Sequence, residues 1–147
     1  MNAQKTSNSD GVELTVDSAY LQALEHFAGG RYSQADKLCT AIINALPTHI
    51  DAINLIGVIA QKVNQHAIAV EQFQKAIDID NSRGLLYYNV ALSLKQLGRK
   101  TEAIQALNTA HNLEPENSQI ADYLQGILNP DKKAQDLLVE ATSHHQS

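Results

Sequence analysis

The chain carries few side chains whose types and spacing could support chemistry. Its six histidines are scattered: His26 and His66 fall near predicted turns or packing positions, and His144-His145 lies near the C-terminus. Two adjacent histidines bind added metal weakly, and the sequence contains no glycine-rich phosphate loop and no cluster with metal-ligand spacing. Serine and aspartate residues are present, but not in the context of a catalytic triad. The sequence therefore predicts a non-enzymatic protein without a cofactor or a physiological metal site.

Cys39 is the only cysteine, and it falls where the helical pattern requires a large apolar side chain. A buried and unreactive thiol is therefore expected rather than a nucleophile. A single cysteine excludes an internal disulfide and fits a reducing compartment. The N-terminal MNAQKTSNSDG lacks the apolar region of a secretory signal, and the longest apolar run, AINLIGVIA, is too short to span a bilayer. These features predict a cytoplasmic protein with no membrane partner.

Charge and composition exclude a nucleic-acid surface and favour helices. The formal net charge is −5, which argues against phosphate binding. Lys95, Arg99 and Lys100 do cluster, but Glu102 lies beside them, as is typical of a solvated helix end. Hydrophobic residues make up 44% of the chain and aromatic residues only 5%, with many alanines, leucines and isoleucines. This composition predicts an all-helical domain with a packed core and no nucleic-acid partner.

The stretch YNVALSLKQLGRKTEAI, residues 88–104, is a run of helix formers that breaks at Gly98 and resumes at once. A break this short makes two helices fold back on each other, and Ala91 and Ala103 are small enough to let their backbones approach. The same unit recurs without a gap at a period of about 34 residues, which is the signature of a helical repeat array. Equivalent positions are held by Ala35, Ala69 and Ala103, by Gly30, Asn64 and Gly98, and by Pro47, Asn81 and Pro115.

The period, the helix-turn-helix unit and these residue types resemble the tetratricopeptide repeat. The pattern is clearest in residues 84–117, which carry Tyr87, Val90, Ala91, Leu94, Gly98, Ala103, Leu107, Ala110 and Pro115. Residues 50–83 keep it with Asn81 in place of proline, and residues 16–49 are the most degenerate copy. The resemblance implies a right-handed α-solenoid of about three repeats within residues 13–129, closed by a capping helix over 118–129. Residues 1–12 are expected to be a disordered N-terminus.

In such an array, one side of each first helix packs against its partner helix and the opposite side lines a concave surface. The outward positions carry a leucine, valine and tyrosine floor with a polar rim, as expected of a groove for an apolar or amphipathic segment. Leu55 and Tyr88 are expected to point away from the hairpin interior. The alternative is that neighbouring first helices bury part of this face. The candidate groove residues are Tyr20, Leu24, Phe27, Asn54, Leu55, Val58, Leu85, Tyr88, Asn89, Leu92, Lys95 and Tyr123.

Two binding modes of the family can be compared with these positions. Members that clamp the C-terminal carboxylate of chaperones use lysine, asparagine and arginine side chains at five first-helix positions. Here those positions hold Tyr20, Leu24, Leu55, Leu85 and Asn89, so the resemblance implies no carboxylate clamp. The repeats of O-linked N-acetylglucosamine transferases carry an asparagine at the sixth position of each repeat. Only Asn89 matches, so no asparagine ladder is expected.

The resemblance implies a non-catalytic protein-protein interaction module that holds a partner peptide or helix in its concave groove. Two alternatives remain open. The chain is also similar to the N-terminal repeat region that precedes the catalytic domain in bacterial glycosyltransferases and methyltransferases. It could equally be a self-assembling scaffold, since short arrays of this family stack end to end as homo-oligomers.

The C-terminal residues 130–147 are expected to form a helix and a tail. Asn129-Pro130 stops the fourth first helix, because proline cannot sit inside a helix without breaking a hydrogen bond. Beyond it, Ala134, Leu137, Leu138 and Ala141 recur at helical spacing. The repeat phase favours docking of this stripe onto Ala121, Leu124 and Leu128 as a cap. The alternative is that the segment occupies a groove, its own or that of a neighbour.

Overall fold

The computed structural model describes residues 5–7 and 13–144, and eight α-helices dominate this part of the chain. The predicted all-α solenoid is confirmed, and none of the described helices is long and apolar enough to cross a membrane. The helices are α1 (Val16–Ala28), α2 (Tyr32–Ala45), α3 (Ile50–Lys62), α4 (His66–Ile79), α5 (Gly84–Gln96), α6 (Lys100–Leu113), α7 (Ser118–Leu128) and α8 (Pro130–His144). Two short strands, β1 (Lys5–Ser7) and β2 (Glu13–Thr15), precede them.

The helices follow the repeat spacing of the sequence. First helices begin at Val16, Ile50, Gly84 and Ser118, and the second helices of three repeats begin at Tyr32, His66 and Lys100. Each second helix packs both on its own first helix and on the next one along the chain, since α4 contacts α3 and α5, and α6 contacts α5 and α7. The array is therefore continuous from α1 to α7.

Each turn inside a repeat is three residues long and contains one residue in the left-handed conformation. These residues are Gly30, Asn64 and Gly98, with φ of 75°, 64° and 76°. In the third repeat, the N–H of Gly98 donates to the carbonyl of Lys95, and that of Arg99 donates to Leu94. These bonds satisfy carbonyls at the end of α5 while the chain reverses direction. Asn64 takes this conformation because asparagine tolerates it better than other residues with a side chain.

Small residues on the second helices let the repeats pack closely. Ala35, Ala69 and Ala103 occupy one repeat position and are all fully buried. Ala76 and Ala110 are buried equally well two turns further along their helices. The larger core side chains therefore fill the space around a close helix-helix contact rather than the contact itself. The largest fully buried side chain is Phe73 of α4.

Strands β1 and β2 pair in an antiparallel manner next to the first repeat. Lys5 lies opposite Thr15, and Ser7 lies opposite Glu13. Strand β1 contacts α1 and α2, while β2 leads directly into α1, whose first turn is capped by the Thr15 hydroxyl. The sequence predicts disorder over residues 1–12. Within that range the structure describes Lys5–Ser7, which forms a strand instead, whereas residues 1–4 and 8–12 lie outside the described residues.

At the C-terminus, α7 closes the array and α8 does not pack as a cap. Helix α7 buries Ile120, Leu124 and Ile127 against the preceding repeat. Leu137 of α8 is 59% exposed and Leu128 of α7 is 48% exposed, so the expected docking of α8 onto α7 is wrong. The physical reason lies in the connection, since Asn129 alone joins the two helices and cannot supply the longer turn used elsewhere. The His144-His145 pair falls largely outside the described residues.

Candidate functional site

The candidate groove lies on the first-helix face, which we define as the surface formed by α1, α3, α5 and α7. Contacts between successive first helices show that they lie side by side. Tyr20 of α1 packs its ring 5.4 Å from His49 at the start of α3, and α3 contacts α5 directly. Tyr88 of α5 and Tyr123 of α7 form an edge-to-face pair with ring centroids 5.7 Å apart. The predicted groove residues are thus spread over one continuous row of helices.

Part of the predicted floor is buried between these helices rather than exposed. Leu55 is only 5% exposed and belongs to the same buried cluster as Val16, Ala19 and Ala23 of α1. Tyr88 is 8% exposed. Leu55 and Tyr88 are therefore not accessible groove residues, because adjacent first helices cover them, as the alternative interpretation of this face expected. Asn89, a polar residue of the candidate groove, is buried as well.

Polar side chains join α3 to α5 beneath this surface. Asn89 donates its amide N–H to the side-chain oxygen of Asn54 at 3.0 Å. Gln61 donates to the backbone carbonyl of Asn89 at 3.0 Å and to the hydroxyl of Ser93 at 2.8 Å. Because Ser93 and Asn89 are both buried, each needs such a partner to avoid a desolvation cost. The contacts fix the spacing and the register of α3 and α5.

Aromatic and cationic groups join α5 to α7 in the same way. Gln119 donates its side-chain N–H to the hydroxyl of Tyr88 at 3.3 Å. The ammonium of Lys95 lies 5.3 Å from the ring centroid of Tyr123, within the range of a cation–π contact. Partial burial, with the neighbouring Tyr88 as a smaller cause, raises the pKa of Tyr123. Its hydroxyl is therefore neutral at physiological pH, and Lys95 contributes a positive charge at this end of the face.

The opposite end of the face, on α1, carries aromatic residues and an exposed leucine. Phe27 packs against Tyr32 with ring centroids 5.6 Å apart, so it lies near the turn into α2. Burial first, and then the Asp51 carboxylate, raise the pKa of Tyr20. Leu24 is 37% exposed. Phe27 and Tyr32 are both only half-buried, so the α1 end of the face offers a partly exposed apolar surface.

The accessible apolar side chains of the face form one line along the array. Leu24, Val58 and Leu92 occupy the same position in three successive repeats, and none of the three is fully buried. Leu85, at the start of α5, adds an exposed leucine at the rim. We call Leu24, Val58 and Leu92 the apolar row. Asn54, Gln61 and Lys95 supply polar groups around it, so the face offers apolar contact together with hydrogen bonding.

The histidines near the turns make local structural contacts. His26 accepts a hydrogen bond from Arg31 at 2.8 Å, and His49 accepts one from the Ala52 N–H at 3.0 Å, which caps α3. His66 contacts the Asn64 side chain at 2.8 Å across a turn. Within the residues that the structure describes, no group of three or more histidine, cysteine, aspartate or glutamate side chains is arranged to hold a metal ion.

Cys39 is fully buried, in agreement with the expectation of an inert thiol. Burial, with a smaller effect of the Asp36 carboxylate, raises its pKa to about 12. A thiol with such a pKa carries almost no thiolate at neutral pH, and the thiolate is the reactive form. Cys39 therefore contributes to the core of the first repeat and not to chemistry.

Two residues that join the helices of this face could not be identified from the sequence. Ser93, a fully buried hydroxyl in the middle of α5, and Gln119 on α7 were not among the candidate residues. For Ser93, the available signal was a polar residue on the buried side of the α5 helical period. Their partners come from neighbouring repeats, 32 and 31 positions away in the chain, so no local pattern could identify them.

A family model for the tetratricopeptide repeat matches residues 50–83 and 85–117. Residues 50–83 and 85–117 of this chain are therefore tetratricopeptide repeats. The first repeat lies outside that match, but its helices start at the same repeat positions as those of the second repeat, and its Ala35 is buried like Ala69 and Ala103. No curated protein matches this chain in sequence.

Solved structures of other proteins share the fold of this chain. The type III secretion chaperone SycD of Yersinia enterocolitica, in complex with a peptide of the translocator YopD, is 19% identical with a TM-score of 0.73, over 79% of this chain and 94% of that one. The first repeat domain of Spaghetti (RPAP3), bound to an HSP90 peptide, is 18% identical with a TM-score of 0.75, over 78% and 94%. An O-GlcNAc transferase mutant of Thermobaculum terrenum is 19% identical with a TM-score of 0.73, over 78% of this chain but 22% of that one.

Proposed function

We propose that this chain is a non-catalytic interaction module that holds an apolar or amphipathic segment of a partner protein against its first-helix face. The observation that carries the proposal is the apolar row. Three side chains at one repeat position, Leu24, Val58 and Leu92, are all at least partly accessible. A helix or an extended peptide that lies across α1, α3 and α5 could contact all three at once.

The polar contacts beneath the row support a preformed surface. Asn54, Gln61, Asn89 and Ser93 link α3 to α5, and the Tyr88–Tyr123 pair links α5 to α7. A surface whose helices are already fixed loses less conformational entropy when a ligand binds. The side-chain oxygen of Asn54 accepts a hydrogen bond from Asn89, and this bond orients the amide group of the half-buried Asn54 next to the apolar row. Such a group can donate to the backbone carbonyl of a bound segment.

The chemistry of the face favours an apolar ligand over an acidic peptide end. The five positions that hold a carboxylate clamp in chaperone-binding relatives carry Tyr20, Leu24, Leu55, Leu85 and Asn89, which bring no positive charge. Lys95 is a basic side chain on the face, and it lies beside Tyr123 at one end. Two structural neighbours are bound to peptides, one of YopD and one of HSP90. We therefore place the partner of this chain in the apolar or amphipathic class.

Selection from a displayed library of amphipathic helical peptides, followed by fluorescence polarisation with the enriched sequences, tests this function. We expect enrichment of peptides with apolar residues at i, i+3, i+4 and i+7. The peptide SRMEEVD, which is bound in the RPAP3 structure, serves as the acidic comparison and is expected to bind weakly or not at all. Preference for SRMEEVD over every apolar peptide would contradict the proposal.

Leu24→Asp and Leu97→Asp form a matched pair for the same assay. The two leucines are similarly exposed, at 37% and 40%, but Leu24 belongs to the apolar row and Leu97 lies at the turn between α5 and α6. We expect Leu24→Asp to weaken peptide binding by at least about tenfold, which corresponds to about 1.4 kcal/mol. Leu97→Asp should bind as the unchanged protein does. Equal effects of the two substitutions would remove the apolar row as the binding surface.

A further inference from the structure

The link between α7 and α8 differs from the turns inside the three complete repeats. In the three complete repeats, three residues join the first helix to the second, and the middle one adopts a left-handed conformation. Between α7 and α8 there is only Asn129, with a φ of −129°. The second helices of the complete repeats begin at Tyr32, His66 and Lys100, so a fourth at the same spacing would begin at position 134, but α8 already begins at Pro130. The chain therefore enters α8 without the turn that would fold it back on α7.

Residues on both sides of this missing turn have the pattern of a buried repeat interface. Leu128 is the equivalent of Leu94, and Leu137 is the equivalent of Ala103. In the third repeat, Leu94 is 4% exposed and Ala103 is fully buried, both in one core cluster. In the fourth unit, the equivalent leucines are 48% and 59% exposed. Leu128 of α7 and Leu137 of α8 thus do not cover each other, although their equivalents in the third repeat are both buried.

The one-residue connection explains why the two faces do not meet within one chain. Packed helices lie about 8–10 Å apart between their axes. A single linking residue spans at most about 7 Å between its neighbouring Cα atoms, and here it must also reverse the chain direction. Pro130 further restricts the link, because it disfavours a helical conformation at the residue before it. Direct folding of α8 onto its own α7 is therefore sterically unfavourable.

We propose that α8 docks on α7 of a second copy of this chain, so that two copies exchange their C-terminal helices. In this arrangement Leu137 of each copy covers Leu128 of the other, and the contact is repeated twice about a two-fold axis. Short hinge connections favour such exchange because they prevent a helix from packing on the neighbouring helix of its own chain. Because Leu137 is larger than the alanine at its equivalent positions, the exchanged helix packs further from α7 than the other second helices do from their partners.

The exchange uses α7 and α8, whereas the apolar row lies on α1, α3 and α5. The interaction with a second copy and the binding of a partner segment therefore depend on different residues. Leu24→Asp is expected to leave the oligomeric state unchanged, which keeps the failure of one proposal distinguishable from the failure of the other.

Size-exclusion chromatography with multi-angle light scattering on the full chain tests the exchange. We expect a concentration-dependent dimer at micromolar protein. Leu128→Glu and Leu137→Glu should each shift the dissociation constant of the dimer at least about tenfold upward. Leu97→Glu, at a leucine of similar exposure in the turn after α5, is the control and should leave the dimer intact. Thermal unfolding followed by circular dichroism checks that each variant remains folded.

Two further measurements distinguish exchange from other modes of association. A mixture of Leu128→Glu with Leu137→Glu chains should recover part of the dimer, since one α7–α8 interface between them is unaltered. Replacement of Asn129 by the Leu-Gly-Arg turn of the third repeat should allow α8 to fold back and give a monomer. A chain that is monomeric at every concentration overturns the proposal. So does a dimer that is lost with Leu137→Glu but unaffected by Leu128→Glu, because that result indicates pairing of α8 with α8.

Discussion

Gly57 and Phe73 provide the sharpest test of packing within a repeat. Gly57 lies in α3 and faces the ring of Phe73 in α4, which is fully buried. A Cβ atom at position 57 would lie 2.5 Å from Cε1 and 2.8 Å from Cδ1 of that ring. The other repeats hold Ala23 with Cys39 and Ala91 with Leu107 at these positions, so the smallest residue is paired with the largest one.

Gly57→Ala should therefore destabilise the protein, although glycine to alanine in a helix normally stabilises it. The helix propensity gain is about 1 kcal/mol. Carbon atoms in contact are about 3.5–4.0 Å apart, so the ring must move by about 1 Å. Overpacking of a well-packed core costs roughly 1–3 kcal/mol, and the Phe73 ring is fully buried. After the propensity gain is subtracted, we expect a net loss of up to about 2 kcal/mol and a Tm that falls by up to about 6 °C.

A double-mutant cycle with Phe73→Leu measures the coupling. Phe73→Leu alone should cost about 1–2 kcal/mol, because it leaves a small cavity beside Gly57. Gly57→Ala with Phe73→Leu reproduces the pair found in the third repeat, and the two changes together should cost less than their sum by at least about 1 kcal/mol. Chemical and thermal unfolding followed by circular dichroism gives each free energy of unfolding.

Gly84→Ala is the matched control. A Cβ atom there would lie 2.3 Å from Oε2 of Glu114, which is even closer than the contact at position 57. The Glu114 side chain is flexible and only half-buried, so it can move away and lose only a 3.3 Å hydrogen bond with Asn117. Gly84→Ala should therefore be nearly neutral. If Gly57→Ala raises the Tm, or if both variants behave alike, then the close packing of Phe73 on α3 is not what sets the choice of glycine.

Two further predictions concern the core. Leu55→Asp and Ala69→Glu should each lower the free energy of unfolding by about 3 kcal/mol or more, because both place a charge without a partner in the core. Denaturant titrations measure this loss, and unchanged unfolding would contradict the burial of Leu55 and Ala69. For Cys39, the pKa of about 12 in the folded state exceeds its ordinary value of 9.0, so the unfolded chain loses its thiol proton first as the pH rises. Relative to Cys39→Ala, the unchanged protein should lose stability between pH 9 and pH 12, and equal pH profiles of the two proteins would show that the thiol is not protected by folding.

The helical array could be predicted from the sequence because its signals are local and repeated. Gly30, Asn64 and Gly98 mark the turns, and the alanines at positions 35, 69 and 103 mark the close helix contacts. The burial of some groove residues was harder to predict in this way. A helical wheel separates the two sides of one hairpin, but it does not show that the next first helix covers Leu55 and Tyr88. Those contacts come from residues about one repeat away.

The strand pair at the N-terminus could not be predicted for a related reason. Lys5–Ser7 and Glu13–Thr15 are three residues long and too short to show an alternating pattern. Isolated hairpins of this size are marginal in water, so neighbouring structure has to support them. Here β1 contacts α1 and α2, and β2 continues into α1. The support comes from the folded first repeat, which the sequence of residues 1–12 alone does not reveal.

Turn chemistry, rather than hydrophobic pattern, determines where the array ends. The apolar phase of the repeat continues through Leu137 and Ala141, and on that criterion alone a fourth hairpin is expected. Asn129 and Pro130 replace the turn found in the complete repeats, so the second helix begins early and Leu137 stays exposed where the equivalent Ala103 is buried. An apolar face that the chain itself cannot cover favours association with another surface of matching pattern. Every copy of the chain carries such a surface on α7. Asn129 and Pro130, which end the array within one chain, therefore favour packing of α8 on α7 of a second copy.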